Sequence, residues 1–164
     1  MRSKHFKAKL LLLTGVIGLA FMLTACQSVV SYVVVNESND RIQVRFVMKK
    51  PVAGVPEPPP RELGIKSLSE LSDLGKPWRG LEGAQIAFQP ETRTVVVTLM
   101  PQEALRIEER TNVGCDDKKP DREEYYSIEQ LSVTGASGSI KLEGQQALRG
   151  FVQGPKGVCV VTYR

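Results

Sequence analysis

Five carboxylates fall within nine residues of this chain: Asp116, Asp117, Asp121, Glu123 and Glu124, interleaved with Lys118, Lys119 and Arg122. Oxygen donors in such density could hold calcium, and two carboxyls facing one cleft could cleave a glycoside. The spacing matches no calcium loop, and three cations in the same stretch oppose a bound cation, so the run reads as a solvated loop. Gly135-Ala136-Ser137-Gly138 approaches a nucleophile elbow, but Ser139 stands where the closing glycine belongs. There is no imidazole to serve it, because the single histidine is His5. Residues 26–164 therefore lack the group on which serine, cysteine and most metal-assisted hydrolysis relies. They also lack a Ser-x-x-Lys pair and a phosphate-cradling Gly-x-x-x-x-Gly-Lys-Ser/Thr run. Trp78, the sole tryptophan, follows a short leucine-bearing segment and precedes Arg79. It either fills the core beneath that segment or, if exposed, offers a contact to a partner or membrane.

These residues follow a leader with its own chemistry. Arg2, Lys4, Lys7 and Lys9 precede an uncharged run of 16 residues, Leu10 to Ala25. A basic start followed by a short apolar run is a signal-peptide pattern, and a membrane-spanning helix wants about 20 residues. The run ends in Leu23-Thr24-Ala25-Cys26: aliphatic, hydroxyl-bearing, small, then cysteine. This resembles the lipobox of bacterial lipoproteins, and the resemblance covers residues 1–26 only. It implies a diacylglyceryl thioether on Cys26, cleavage before Cys26 and acylation of the freed amine. Two or more acyl chains hold a protein stably on a membrane where one does so marginally. By the sorting habit of enterobacterial lipoproteins, Gln27-Ser28 rather than aspartate after the lipidated cysteine points to the outer membrane, facing the periplasm.

With Cys26 assigned to the anchor and an oxidising compartment implied, Cys115 and Cys159 are expected to form a disulfide. Closing a loop of about 45 residues would contribute at most about 4 kcal/mol in the chain-entropy model. The charge balance also depends on the leader. Of 22 basic residues four precede Cys26, leaving 18 against 18 acidic ones in residues 26–164. No excess positive charge remains to neutralise a nucleic-acid backbone.

The elements that must position these groups read as strands. Val29 to Val35 is β-branched and apolar and starts three residues after Cys26, almost without a tether, which would hold the domain close to the lipid headgroups. Asn36 to Asp40 is turn-rich; Asn36-Glu37-Ser38 also fits a glycosylation sequon but reads as turn chemistry. Ile42, Val44, Phe46 and Met48 then alternate with Gln43, Arg45, Val47 and Lys49, so the two runs are expected to pair as a hairpin. Pro51 to Pro60 holds five prolines and excludes a ladder strand. Ser67-Leu68-Ser69-Glu70 has the form of a capping box and predicts a helix from Ser67 to Leu74 across the open end or edge of the sheet, stopped by Gly75 and Pro77. Ile86 to Phe88 and Val95 to Leu99 flank a proline turn and predict a second hairpin. Ala104 to Glu109, Tyr125 to Thr134, Ser139 to Leu142, Leu148 to Gln153 and Val158 to Tyr163 complete the strands, the last apolar on both faces as a central strand would be.

Residues 26–164 thus predict one all-β domain, an antiparallel sandwich of immunoglobulin-like or similar kind with one short helix, the alternative being a small barrel. The functional expectation is a lipid-anchored, non-enzymatic module that binds or scaffolds another envelope component, with no cofactor and no nucleic acid. The alternative is a glycan-binding protein or a carboxylate-dependent hydrolase of an envelope polymer, resting on Asp116 to Glu124 and Trp78.

Overall fold

Strict alternation of apolar and polar residues buries one face of a strand, and two such sheets must cover each other. The computed structural model describes residues 29–50, 63–73, 75–111, 115, 127–144, 147, 149–155 and 157–164, and in them ten strands form two five-stranded sheets. The first contains β1 (Val29–Asn36), β3 (Gly64–Ser67), β6 (Glu103–Thr111), β9 (Val152–Gln153) and β10 (Val158–Tyr163), in the order β3-β6-β1-β10-β9. The second contains β2 (Ile42–Met48), β4 (Ile86–Gln89), β5 (Thr94–Leu99), β7 (Ile128–Gly135) and β8 (Gly138–Glu143), in the order β4-β5-β2-β7-β8. Pairing is antiparallel except between β1 and β10. The sheets pack as a sandwich and do not close into a barrel.

The core lies between them. Ile42, Val44 and Phe46 of β2, Val95, Val97 and Leu99 of β5, and Leu131 and Val133 of β7 meet Tyr32 and Val34 of β1, Leu105 of β6 and Val161 of β10. Tyr32 and Phe151 stack edge to face at 5.2 Å. Cys115 and Cys159 are joined as a disulfide with Cα atoms 5.5 Å apart. It ties the segment after β6 to the inward face of β10, bridging the two neighbours of β1.

The expected hairpin of the first two runs does not form. β1 and β2 lie in different sheets, and Asn36 is why the chain can cross. It is fully buried, donates to the carbonyls of Asp40 (2.8 Å) and Met100 (3.0 Å), and accepts from the Ser38 amide and hydroxyl. That satisfies an arch between sheets instead of a two-strand turn, the turn chemistry read from the sequence serving a different connection. β1 is apolar on both faces, so it belongs at a sheet centre, flanked by β6 and β10, whereas β10 is one place from the edge. The second hairpin, β4 to β5, is present.

Two further expectations are corrected. The helix from Ser67 to Leu74 reduces to one 3₁₀ turn, Leu68–Glu70, and Ser67 makes no side-chain cap. Ser67 is still in the β3 ladder opposite Glu103, Glu70 turns to Lys76, and the Asp73 carbonyl accepts from Lys66. The turn lies not at the end of the sheet but across the outer face of the first sheet, where Leu68 and Leu71 cover Val33, Val35 and Ala104. Leu148 to Gln153 is not one strand either, since Ala147 and Arg149 are helical and only Val152–Gln153 pairs with β10. Ala147 and Phe151 serve the core instead. The Pro51 to Pro60 stretch lies outside the described residues.

Candidate functional site

The outer face of the first sheet carries a cleft of about 430 Å³, within the range of small-molecule sites. It forms where three outward positions meet. Gly64 and Lys66 are two apart on β3 and so share a face, and Arg106 of β6 stands opposite Gly64 in the ladder. The chain returns along the free edge of β3 through Trp78 and Arg79, held by paired bonds between Ile65 and Arg79 of 2.8 and 3.0 Å. Gly64 leaves the space for this approach, because a Cβ there would lie 2.7 Å from Trp78 Cβ. The indole therefore lies over the glycine, with Lys66 Nζ and the Arg106 guanidinium each 5.1 Å from the ring centroid. Each such contact contributes about 0.5–2 kcal/mol depending on desolvation.

Trp78 does not plug the main core. It is half-buried against the smaller cluster of Val33, Val35, Leu71, Ala104 and Val158, with one side toward the cleft. Lys66 is 2% exposed and donates to the Asp73 carbonyl at 2.9 Å. Arg106 pairs with Glu109 at 2.6 Å. Lys76 pairs with Glu70 at 2.7 Å; that contact draws the Glu70 carboxyl below its ordinary range and raises the Lys76 ammonium above its own. The groups lining the cleft offer positive charge, N–H donors, an aromatic ring and the aliphatic edges of Leu71 and Pro77, which together make a recognition surface.

A second buried charge lies at the far end of β6. A bulge opposite Tyr32/Val33 turns Glu108 inward, where it is 3% exposed. One oxygen accepts from Arg110 and from the Ser127 amide at 3.4 Å, and Oε2 has no hydrogen-bond partner. Burial raises the Glu108 carboxyl above its ordinary range, against the opposing pull of Arg110.

Of the residues singled out in the sequence, Cys115 and Cys159 come together and Trp78 reaches the cleft. Cys26 and the carboxylates Asp116, Asp117, Asp121, Glu123 and Glu124 lie outside the described residues. Among the described residues no three His, Cys, Asp or Glu side chains gather to hold a metal ion. Lys66, Lys76, Arg106 and Glu109 were not legible as a group. Each reads as an ordinary polar position, and only the fold of 68–79 over the sheet makes them neighbours. Comparison with protein-family models, with curated proteins and with solved structures finds no match for this chain.

Proposed function

We propose that this protein is a lipid-anchored, non-enzymatic binding module of the bacterial cell envelope, held by acyl chains on Cys26 at the outer membrane and facing the periplasm. Its binding surface is the cleft around Trp78. One observation carries the reading: the cleft joins an indole to Lys66 and Arg106 in a recess of about 430 Å³, a combination that recognises ligands through charge and stacking. The lipobox residues Leu23 to Cys26 support the anchor.

The test uses the full chain extracted from its own membranes in mild detergent, as wild type and as Trp78→Ala. A stoichiometric envelope component should accompany the wild type and be lost from the variant, with both proteins still unfolding cooperatively. Wild-type protein recovered alone would overturn the partner-binding reading, and a component retained equally by the variant would overturn the assignment of the cleft. Mass spectrometry of the Cys26 peptide should find it acylated, and an unmodified Cys26 would remove the anchor from the proposal.

A further inference from the structure

Lys66 holds a buried ammonium in this cleft with a carbonyl and an aromatic face as partners but no counter-ion. The residue is 2% exposed, and among the described residues no carboxylate lies within ion-pair distance of its ammonium. A buried cation without a counter-charge costs several kcal/mol, and replacing it by an apolar side chain of similar volume is often neutral or stabilising. A site completed by an external anion removes that cost.

The surroundings specify the anion further. Among the residues lining the cleft, Lys66, Lys76 and Arg106 are cationic and Glu109 is the one acid. Arg and Lys donors gathered round one recess suit a phosphate, with its several acceptor oxygens, better than a single-point acceptor. Leu71, Pro77, Val158 and the indole supply an apolar wall for whatever the phosphate is esterified to. Position narrows the source. Val29 lines the same cleft and stands three residues from Cys26, and three residues span at most about 11 Å. With acyl chains on Cys26, the rim of the cleft stays within reach of the headgroup layer.

We propose that the cleft is a phosphate site for an anionic phospholipid headgroup, with Lys66 as the principal ligand, Arg106 and Lys76 beside it, and the Trp78 indole against the glyceryl part. This rests on the reading of the cleft as a binding surface and of Cys26 as the anchor. It makes the anchored domain an oriented one, lying with the outer face of its first sheet toward the bilayer.

Trp78 is the sole tryptophan, so its emission reports this site directly. The full-length protein, in neutral detergent micelles, is titrated with phosphatidylglycerol, with diacylglycerol bearing the same chains, and with glycerol 1-phosphate. Phosphatidylglycerol should give a saturable change and diacylglycerol none. Lys66→Met should weaken the response at least about tenfold, as loss of a charged hydrogen bond predicts, in a protein that still unfolds cooperatively. Should that variant misfold, exposed Lys76→Gln should weaken binding about threefold, a modest loss befitting a solvated charge. A phosphatidylglycerol response unchanged in folded Lys66→Met, an equal response to diacylglycerol, or none to any phosphate would overturn the site. Glycerol 1-phosphate binding as tightly as phosphatidylglycerol would overturn the membrane source. A copurifying component lost with Trp78→Ala but no response to phosphate would sink this inference alone; a phosphate response without such a component would sink only the partner-binding reading.

Discussion

The two sheets use the same alternation for opposite purposes on their outer faces. In the second sheet Gln43, Arg45, Gln130, Thr134 and Lys141 face water. In the first, Val33, Val35, Ala104 and Val158 face outward yet are buried, beneath the segment that carries Leu68, Leu71 and Trp78. The buried charged residues among those described, Lys66 and Glu108, both belong to the first sheet. Solvated faces need only be polar. A covered face must be packed like a core, and its seam with the cover is where a recess and desolvated charges can arise.

The contrast can be broken most strongly at the disulfide. Cys115→Ser and Cys159→Ser should each cost up to about 4 kcal/mol and to a similar degree. Amide exchange should quicken in β1, β6 and β10 before β2, β5 and β7. Unequal losses in denaturant unfolding would argue against a shared bond. Next, Val33→Ala on the covered face should cost about 2–3 kcal/mol, through lost burial and a cavity. Gln43→Ala on the open face should change stability by no more than about 0.5 kcal/mol. Equal effects in chemical denaturation would erase the distinction between the faces.

Gly64→Ala should cost about 1–3 kcal/mol, since its Cβ would press on Trp78 Cβ and the backbone of Arg79. Tryptophan emission should move to the red as the indole leaves its slot; an unmoved spectrum would mean that the glycine does not set the ring's place. The buried Glu108 gives a pH signature. Its folded carboxyl binds protons more readily than its unfolded one. Stability should therefore fall as pH rises from the ordinary carboxylate value through the raised one, and Glu108→Gln should remove that part of the slope. A wild-type curve parallel to that of the variant would refute the raised value. Smallest of all, Lys76→Ala should leave the melting temperature unchanged, because its pair with Glu70 is exposed on both sides.

Much of the sandwich was legible because its signal is local. Ile42 to Met48 and Val95 to Leu99 show which residues turn inward without reference to any other strand, and the Pro90 turn joins neighbours in sequence. The pairing of β1 was not legible, since alternation states that a strand has a buried face and not which strand lies beside it. The run Val29 to Val35 already carried the signal of a central strand, apolar on both sides, but the turn residues after it suggested a local partner. The capping box failed for a similar reason: its serine stayed in the β3 ladder and its glutamate found Lys76.

Local patterning marks Ile42 to Met48, Val95 to Leu99 and Val158 to Tyr163 as strands with a buried face, and it leaves Cys115 and Cys159 as the pair free to join. It also set the expectation of an anchor at Cys26. That Asn36 carries the chain from one sheet to the other is a fact of the folded molecule. The fold alone brought Lys66, Trp78 and Arg106 around one recess. Those residues are separated by up to 40 positions, and their meeting depends on a ladder register, a glycine without a Cβ and a return along the free edge of β3. Side-chain periodicity records the face a residue turns to, and contact across elements is settled by packing alone.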